Sequence, residues 1–266
     1  MQPNRPKIRP KPPRRVSEKK PATIKLDRFL YRNATFGFAF FFAFAIWAFW
    51  PKYFSHVLDQ PNVRFHTHGI SMTLWCLMLI GQAYLIRTNR KALHRLVGKF
   101  SYLLVPLIII TSVNIVHFRM HQRGLEALRT YFSLALTLNS VIAFAVLYGL
   151  AMYYRHQPLI HARYLVSTIF PLFTPITDRL IGAHFKPILP FLPTLEGRPI
   201  SAVLGFALAD LLLLILLVWD WRTNRRLTVF AIALGVVLLY HVSTLTFYRF
   251  SFWRAFGVWF YNLPLS

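Results

Sequence analysis

The sequence has a single cysteine, few acidic residues and little charge overall. Because Cys76 stands alone, an intramolecular disulfide and a cysteine-based zinc or iron–sulfur site are excluded. Asp and Glu number only 8 against 31 Lys and Arg, and the charged types together make up 15% of the 266 residues. A soluble domain of this length needs more charge to cover its surface. The composition therefore excludes most soluble folds.

Common catalytic motifs are also missing. The chain contains no P-loop, no glycine-rich dinucleotide loop, no nucleophile elbow and no H-E-x-x-H metalloprotease motif. Apolar residues are abundant instead, at 56% hydrophobic and 17% aromatic. A disordered chain would not carry so many aromatics, and a nucleic-acid-binding protein could be as basic but not as apolar. The composition predicts a multi-pass membrane protein without a nucleic-acid partner.

Seven apolar stretches approach the ~20 residues that a helix needs to cross a bilayer. Each must be helical, because hydrocarbon offers the backbone no hydrogen-bond partner. The predicted spans are Ala34–Trp50, Gly69–Ile86, Val97–Val116, Tyr131–Tyr154, Ala162–Ile181, Ile200–Trp221 and Leu227–Phe247. Pro171 and Pro175 predict a kink in the fifth. The expected fold is an all-α, seven-helix transmembrane bundle over residues 34–250.

The two ends of the chain differ from this bundle. Residues 1–33 hold eleven Lys or Arg, and six prolines lie before residue 22. Such a segment cannot bury a core, so it predicts a disordered tail that contacts anionic lipid headgroups. Residues 251–266 are rich in aromatic side chains, and we expect them to lie in the membrane interface.

Lysine and arginine are unevenly distributed between the two sides of the predicted bundle. With the N-terminus in the cytoplasm, 21 of these residues face the cytoplasm and 9 face the other side. Because cytoplasmic loops carry the excess of positive charge, this distribution predicts a cytoplasmic N-terminus. An odd number of spans then places the C-terminus outside.

Two histidines near the predicted cytoplasmic face are candidates for haem ligands. His94 precedes the third span and His161 precedes the fifth, so their imidazoles are expected at a similar depth on different helices. Membrane bundles commonly hold haem b between two such histidines. Gly98 would leave room one turn beyond, while Arg95 and Arg163 could pair with the propionates. The alternative is a pair of interfacial histidines that bind no cofactor.

Four histidines are expected near the opposite face. His66 and His68 form an H-x-H before the second span, and His117 and His121 share a helix face at a spacing of four. Converging imidazoles would suit Zn²⁺ or Cu²⁺. His68 and His117 could instead ligate a second haem. Unrelated interfacial histidines are the alternative.

Asp210 and His241 are polar residues inside the sixth and seventh predicted spans. Polar groups are costly in hydrocarbon and often mark functional sites. A buried aspartate facing a buried histidine could share a proton or orient a ligand. A structural hydrogen bond between two helices is the alternative, and both readings predict that the two side chains meet.

One stretch of the sequence resembles a known group of proteins. Phe65–Ser101 reads FHTHGISMTLWCLMLIGQAYLIRTNRKALHRLVGKFS, and it resembles a large family of uncharacterised bacterial multi-pass membrane proteins. The resemblance extends from His66 to Leu180. The positions that match the family pattern are His68, Gln82, His94, Arg95, Gly98, His161, Arg163 and Arg179. It implies a helical bundle in a bacterial plasma membrane, and it implies no particular function.

The expected bundle is also distantly similar to the transmembrane b-type di-haem cytochromes. This similarity implies one haem between the third and fifth spans. The fourth span departs from the pattern, because its outer half offers Asn139 and no histidine. The leading hypothesis is a haem b-binding protein of electron transfer. The alternatives are a non-enzymatic subunit or assembly factor of a membrane complex, and a histidine-based zinc or copper protein.

Overall fold

Ten α-helices make up most of the computed structural model, which describes residues 25–265. The helices are α1 (Leu26–Phe49), α2 (Val63–Arg87), α3 (Lys91–Gly98), α4 (Ser101–Arg123), α5 (Leu128–Tyr153), α6 (Pro158–Ser167), α7 (Phe173–His184), α8 (Ala202–Asn224), α9 (Thr228–Thr246) and α10 (Ser251–Tyr261). A two-stranded antiparallel hairpin joins β1 (Thr194–Leu195) to β2 (Arg198–Pro199).

Seven helical segments of the described chain are long and apolar enough to cross a membrane. Five of them are single helices, whereas α3 with α4 forms the third span and α6 with α7 forms the fifth. The predicted all-α seven-helix bundle is thus confirmed, and the chain is a multi-pass membrane protein. We call the end of the bundle at which α1 begins the N side. The opposite end, which carries the hairpin and α10, is the C side.

The fifth span is broken in its middle. A 3-10 turn over Phe170–Leu172 separates α6 from α7, and Pro171 lies in that turn. Pro175 occupies the first turn of α7, where a backbone N–H has no helical acceptor to lose. The two halves have different neighbours: α6 packs on α5 and α9, and α7 packs on α1 and α8. The break lets one span contact four others.

The first helix begins earlier than the sequence predicts. We expected a disordered tail through residue 33 and a first span from Ala34, but α1 starts at Leu26. Leu26 is fully buried, and Asp27 forms an ion pair with Arg163, so tertiary contacts stabilise this polar first turn. The rest of the predicted tail lies outside the described residues.

Large apolar side chains are exposed on the outer surface of the bundle, as expected for helices that face lipid. Leu103 and Leu239 are 74% and 72% exposed, because hydrocarbon solvates such side chains as well as a protein core does. Cys76 is buried among apolar neighbours and acts as a small hydrophobic residue.

The C side is closed by two short elements. Glu196 and Gly197 form the hairpin turn with positive φ angles of 52° and 73°. The Glu196 carboxylate accepts from the backbone N–H groups of Leu128 and Arg129, at 2.9 and 3.2 Å, and so satisfies the first turn of α5. The predicted interfacial segment contains α10, which packs on α4 and α5.

Candidate functional site

His94 and His161 lie next to each other at the N side. Their ring centroids are 6.5 Å apart, and the ring planes are nearly perpendicular at 88°. His161 Nδ1 lies 2.7 Å from the carbonyl oxygen of Ala151, which can only accept, so Nδ1 carries the proton and Nε2 has a free lone pair. The structure therefore brings together two imidazoles from helices that are distant in sequence.

Gln82 connects the His94 segment to α2. In the orientation that satisfies its backbone neighbours, the side-chain amide donates to the His94 carbonyl at 3.1 Å and accepts from the Gly98 N–H at 3.0 Å. The same amide contacts His94 Nδ1. A Cβ on Gly98 would meet only this amide, at 3.8 Å, so there is space beside the glycine. One glutamine of α2 thus forms hydrogen bonds with two backbone groups of the short helix α3.

Arg163 does not have the role that the sequence suggested. We expected it to pair with a haem propionate, but its side chain is only 1% exposed. Nε and Nη2 donate to the two carboxylate oxygens of Asp220, at 2.8 and 2.7 Å, and Nη2 also donates to Asp27. Because its N–H donors are bonded to these carboxylates, Arg163 has a structural role and is not free to bind a propionate. Arg95 is exposed on α3 and has no such partner among residues 25–265.

The four histidines of the C side do not converge. His66 contacts the Tyr53 ring, with centroids 6.2 Å apart, whereas His68 Nδ1 lies 3.2 Å from Thr111 Oγ1. The H-x-H is helical rather than extended, and residues two apart on a helix point in different directions. Within residues 25–265 no three His, Cys, Asp or Glu side chains are arranged to hold a metal ion. The expected zinc or copper site is therefore not formed.

The predicted second haem also lacks its site. His117 is fully buried, and its ring packs against those of His121 and Phe260, at centroid distances of 4.6 and 5.4 Å. His68 lines a cavity, but His117 does not. Since α10 covers the end of α4, His117 and His68 do not face a shared space.

Asp210 and His241 are brought together between α8 and α9. His241 Nδ1 lies 3.1 Å from Asp210 Oδ2, and the ring stacks on Phe206 with centroids 4.0 Å apart. The His241 side chain is 4% exposed, whereas that of Asp210 is 28% exposed. The carboxylate therefore fixes the orientation of a buried ring, and the contact links two neighbouring spans.

Sequence reasoning missed a cavity of about 610 Å³ at the C side. It lies between α1, α2, α4, α5 and α7, and five cationic side chains line it: Lys52, Arg119, Arg123, Arg129 and Arg179. Asp178 and Arg179 are neighbours in the sequence but do not form an ion pair with each other. Instead, Asp178 accepts from Ser201, and Arg179 donates to the Pro175 carbonyl at 2.6 Å. Cations at the ends of several apolar spans were the only signal for this site in the sequence.

Tyr53 closes part of the mouth of this cavity. Its ring lies against Gly69, where a Cβ would come within 2.2 Å of it, and its hydroxyl donates to the His66 carbonyl at 3.3 Å. Burial raises the pKa of Tyr53, because desolvation disfavours the phenolate. Tyr53 therefore stays neutral and does not offset the positive charge of the cavity.

Comparison of this chain with protein-family models, with curated proteins and with solved structures finds no match. The resemblance to a bacterial membrane family therefore stays a prediction, and function has to be argued from the geometry of the sites.

Proposed function

We propose that this membrane protein binds one haem b between His94 and His161 and takes part in electron transfer. The distance between the two rings supports this proposal. An imidazole nitrogen lies ~2 Å from the metal it binds, so two rings on opposite sides of one ion have centroids about 6 Å apart. The observed separation is 6.5 Å.

The number of ligands favours haem over a bare metal ion. Zinc and copper sites use three or four protein ligands, whereas this site offers two imidazoles and belongs to no larger ligand group within residues 25–265. A haem needs only axial ligands from the protein, because the porphyrin supplies the other four. When bound, it would supply one-electron chemistry. Arg95, exposed beside His94, is available to a propionate at the N side.

The neighbouring groups suit axial ligands. The hydrogen bond from His161 Nδ1 to Ala151 fixes the tautomer that leaves Nε2 free. The Gln82 amide contacts His94 Nδ1 and so holds that ring in position. These contacts orient both imidazoles before any cofactor binds.

The same proposal places the N side at the cytoplasmic face of a bacterial inner membrane. The lysine and arginine count, 21 against 9, supports this orientation. The basic segment that precedes α1 would then contact the anionic headgroups of the inner leaflet.

The absorption spectrum of the purified full-length protein tests the haem site. After expression with adequate haem we expect a Soret band, and we expect His94→Ala and His161→Ala each to abolish it. His156→Ala is the matched control, because His156 is an exposed histidine of the same side, and it should leave the band unchanged. Size-exclusion chromatography shows that each variant is folded.

Two results would overturn the haem proposal. One is the absence of Soret absorbance in the unmodified protein. The other is a band that survives both histidine replacements. The non-enzymatic alternative, a subunit or assembly factor of a membrane complex, would then be favoured.

A further inference from the structure

The cavity of the C side combines an apolar interior with a cationic mouth. Its deep wall includes Phe41, Ile108 and Phe144, which belong to three different spans. Along α5 its lining extends from Arg129 to Phe144, and fifteen residues of helix correspond to ~22 Å. The volume, about 610 Å³, lies within the range of ligand pockets, ~300–1,000 Å³. A long, narrow ligand with an apolar body would fit this shape.

The charges that line the cavity are almost all positive. Five cations face a single carboxylate, that of Asp178, which already accepts from Ser201. Within residues 25–265 the ion pairs involve only Arg163 and His241, so no arginine of the cavity has a carboxylate within 4.0 Å. Placing cations in a cavity between membrane spans without counterions is costly. A ligand with negative charge would offset that cost.

Arg119 and Arg179 are the centre of this charge. They lie close enough to interact electrostatically with each other and with His68, although they belong to different spans. Arg179 lies over the Phe49 ring, with Cζ 4.1 Å from its centroid, and Arg119 lies 5.4 Å from that of Phe65. Aromatic faces position both guanidinium groups without using up their N–H donors.

We propose that this cavity binds a lipid-type anion, with a phosphate or carboxylate headgroup between Arg119 and Arg179 and a hydrocarbon chain in the apolar interior. Two guanidinium groups can each form paired hydrogen bonds to such an oxyanion. His68 lies beside them and can add a further hydrogen bond. The apolar interior favours this ligand over a small inorganic anion, and the arginine pair favours it over a neutral lipid.

Binding of tritiated 1-oleoyl-lysophosphatidate to the full chain in phosphatidylcholine nanodiscs tests the proposal. Three competitors distinguish the parts of the ligand: oleate has the chain and a carboxylate, 1-oleoylglycerol has the chain alone, and inorganic phosphate has the headgroup alone. We expect oleate to compete. The neutral lipid and inorganic phosphate should compete at least tenfold less well.

Arginine variants locate the headgroup. Arg119→Gln and Arg179→Gln should each weaken binding about tenfold or more, as expected for the loss of a charge-assisted hydrogen bond. Arg64→Gln is the matched control, because Arg64 also lies at the C side against an aromatic ring but does not line the cavity. It should change the dissociation constant less than twofold.

A variant in the interior locates the chain. Ser140 lines the apolar part of the cavity, and Ser140→Trp should block the lipid while leaving the fold intact by size-exclusion chromatography. Equal competition by 1-oleoylglycerol or by inorganic phosphate would overturn the proposal. So would unchanged affinity in both arginine variants. None of these residues belongs to the haem site, so the Soret band reports on that proposal separately.

Discussion

Arg163 illustrates how a single charge is stabilised at membrane depth. Its guanidinium is shared between Asp220, whose side chain is 2% exposed, and Asp27, which is 27% exposed. Asn224 also donates to the Asp220 carboxylate, at 2.8 Å. Burying an isolated cation would cost several kcal/mol, so the pair persists because each partner satisfies the other. These contacts join α1, α6 and α8 at the N side.

Replacing Asp220 should destabilise the fold. In Asp220→Asn the buried guanidinium loses its main counterion, and we expect a loss of ~3–5 kcal/mol in the free energy of unfolding. Asp27→Asn should cost less, because water reaches Asp27 and Asp220 remains. Denaturant unfolding in detergent measures both, with the exposed Glu126→Gln as a control. Equal effects of the two aspartate variants would contradict this ranking.

Helix packing depends on small residues at particular positions. Gly205 on α8 faces α7, where a Cβ would lie 2.3 Å from Thr177 Oγ1 and 3.1 Å from Thr174 Cα. Without a hydrophobic driving force between spans, close backbone approach is a main source of their association. Gly235 on α9 has nothing within 4 Å of the same position. Close helix packing therefore requires a glycine at position 205 but not at position 235.

Gly205→Ala should destabilise the bundle by ~1–3 kcal/mol, because the added methyl group forces α7 and α8 apart. Gly235→Ala should be neutral or stabilising, by up to ~1 kcal/mol, through the higher helix propensity of alanine. Thermal unfolding of the two variants in the same detergent compares them directly. If both melt like the unmodified protein, the close contact does not limit stability.

At the scale of the whole molecule, the proposed orientation depends on the distribution of positive charge. The excess on the N side depends on residues 1–33, since the remaining chain has only 10 cations on that side against 9 on the other. The apolar spans themselves carry no such asymmetry. The proposed orientation therefore depends on residues 1–33 more than on the bundle.

Reporter fusions test the orientation. A cytoplasmic reporter at the N-terminus and a periplasmic reporter after residue 265 should both be active in the full chain. Removing residues 1–20 should produce a mixture of orientations, because it deletes most of the charge asymmetry. Both termini on one side would contradict the prediction, and the broken fifth span would then be the segment that fails to cross.

The sequence was sufficient for the number, the approximate positions and the helical nature of the spans. Apolar length alone determines these, because every backbone group in hydrocarbon must bond within its own helix. It also predicted the break near Pro171, since the ring of proline removes a donor wherever it lies. The early start of α1 was missed, because Leu26 is held by contacts with helices that are distant in sequence.

Which polar side chains meet was decided only by the tertiary structure. The sequence gives the depth of each residue in its span, but the direction in which a side chain points depends on how the helix is rotated and on its neighbours. Depth alone was sufficient to predict that Asp210 and His241 meet, because they lie on adjacent spans. It was insufficient for Arg163, whose partners come from the first and sixth spans. The cationic cavity likewise exists only where five helices pack together, because each of them supplies only part of its lining.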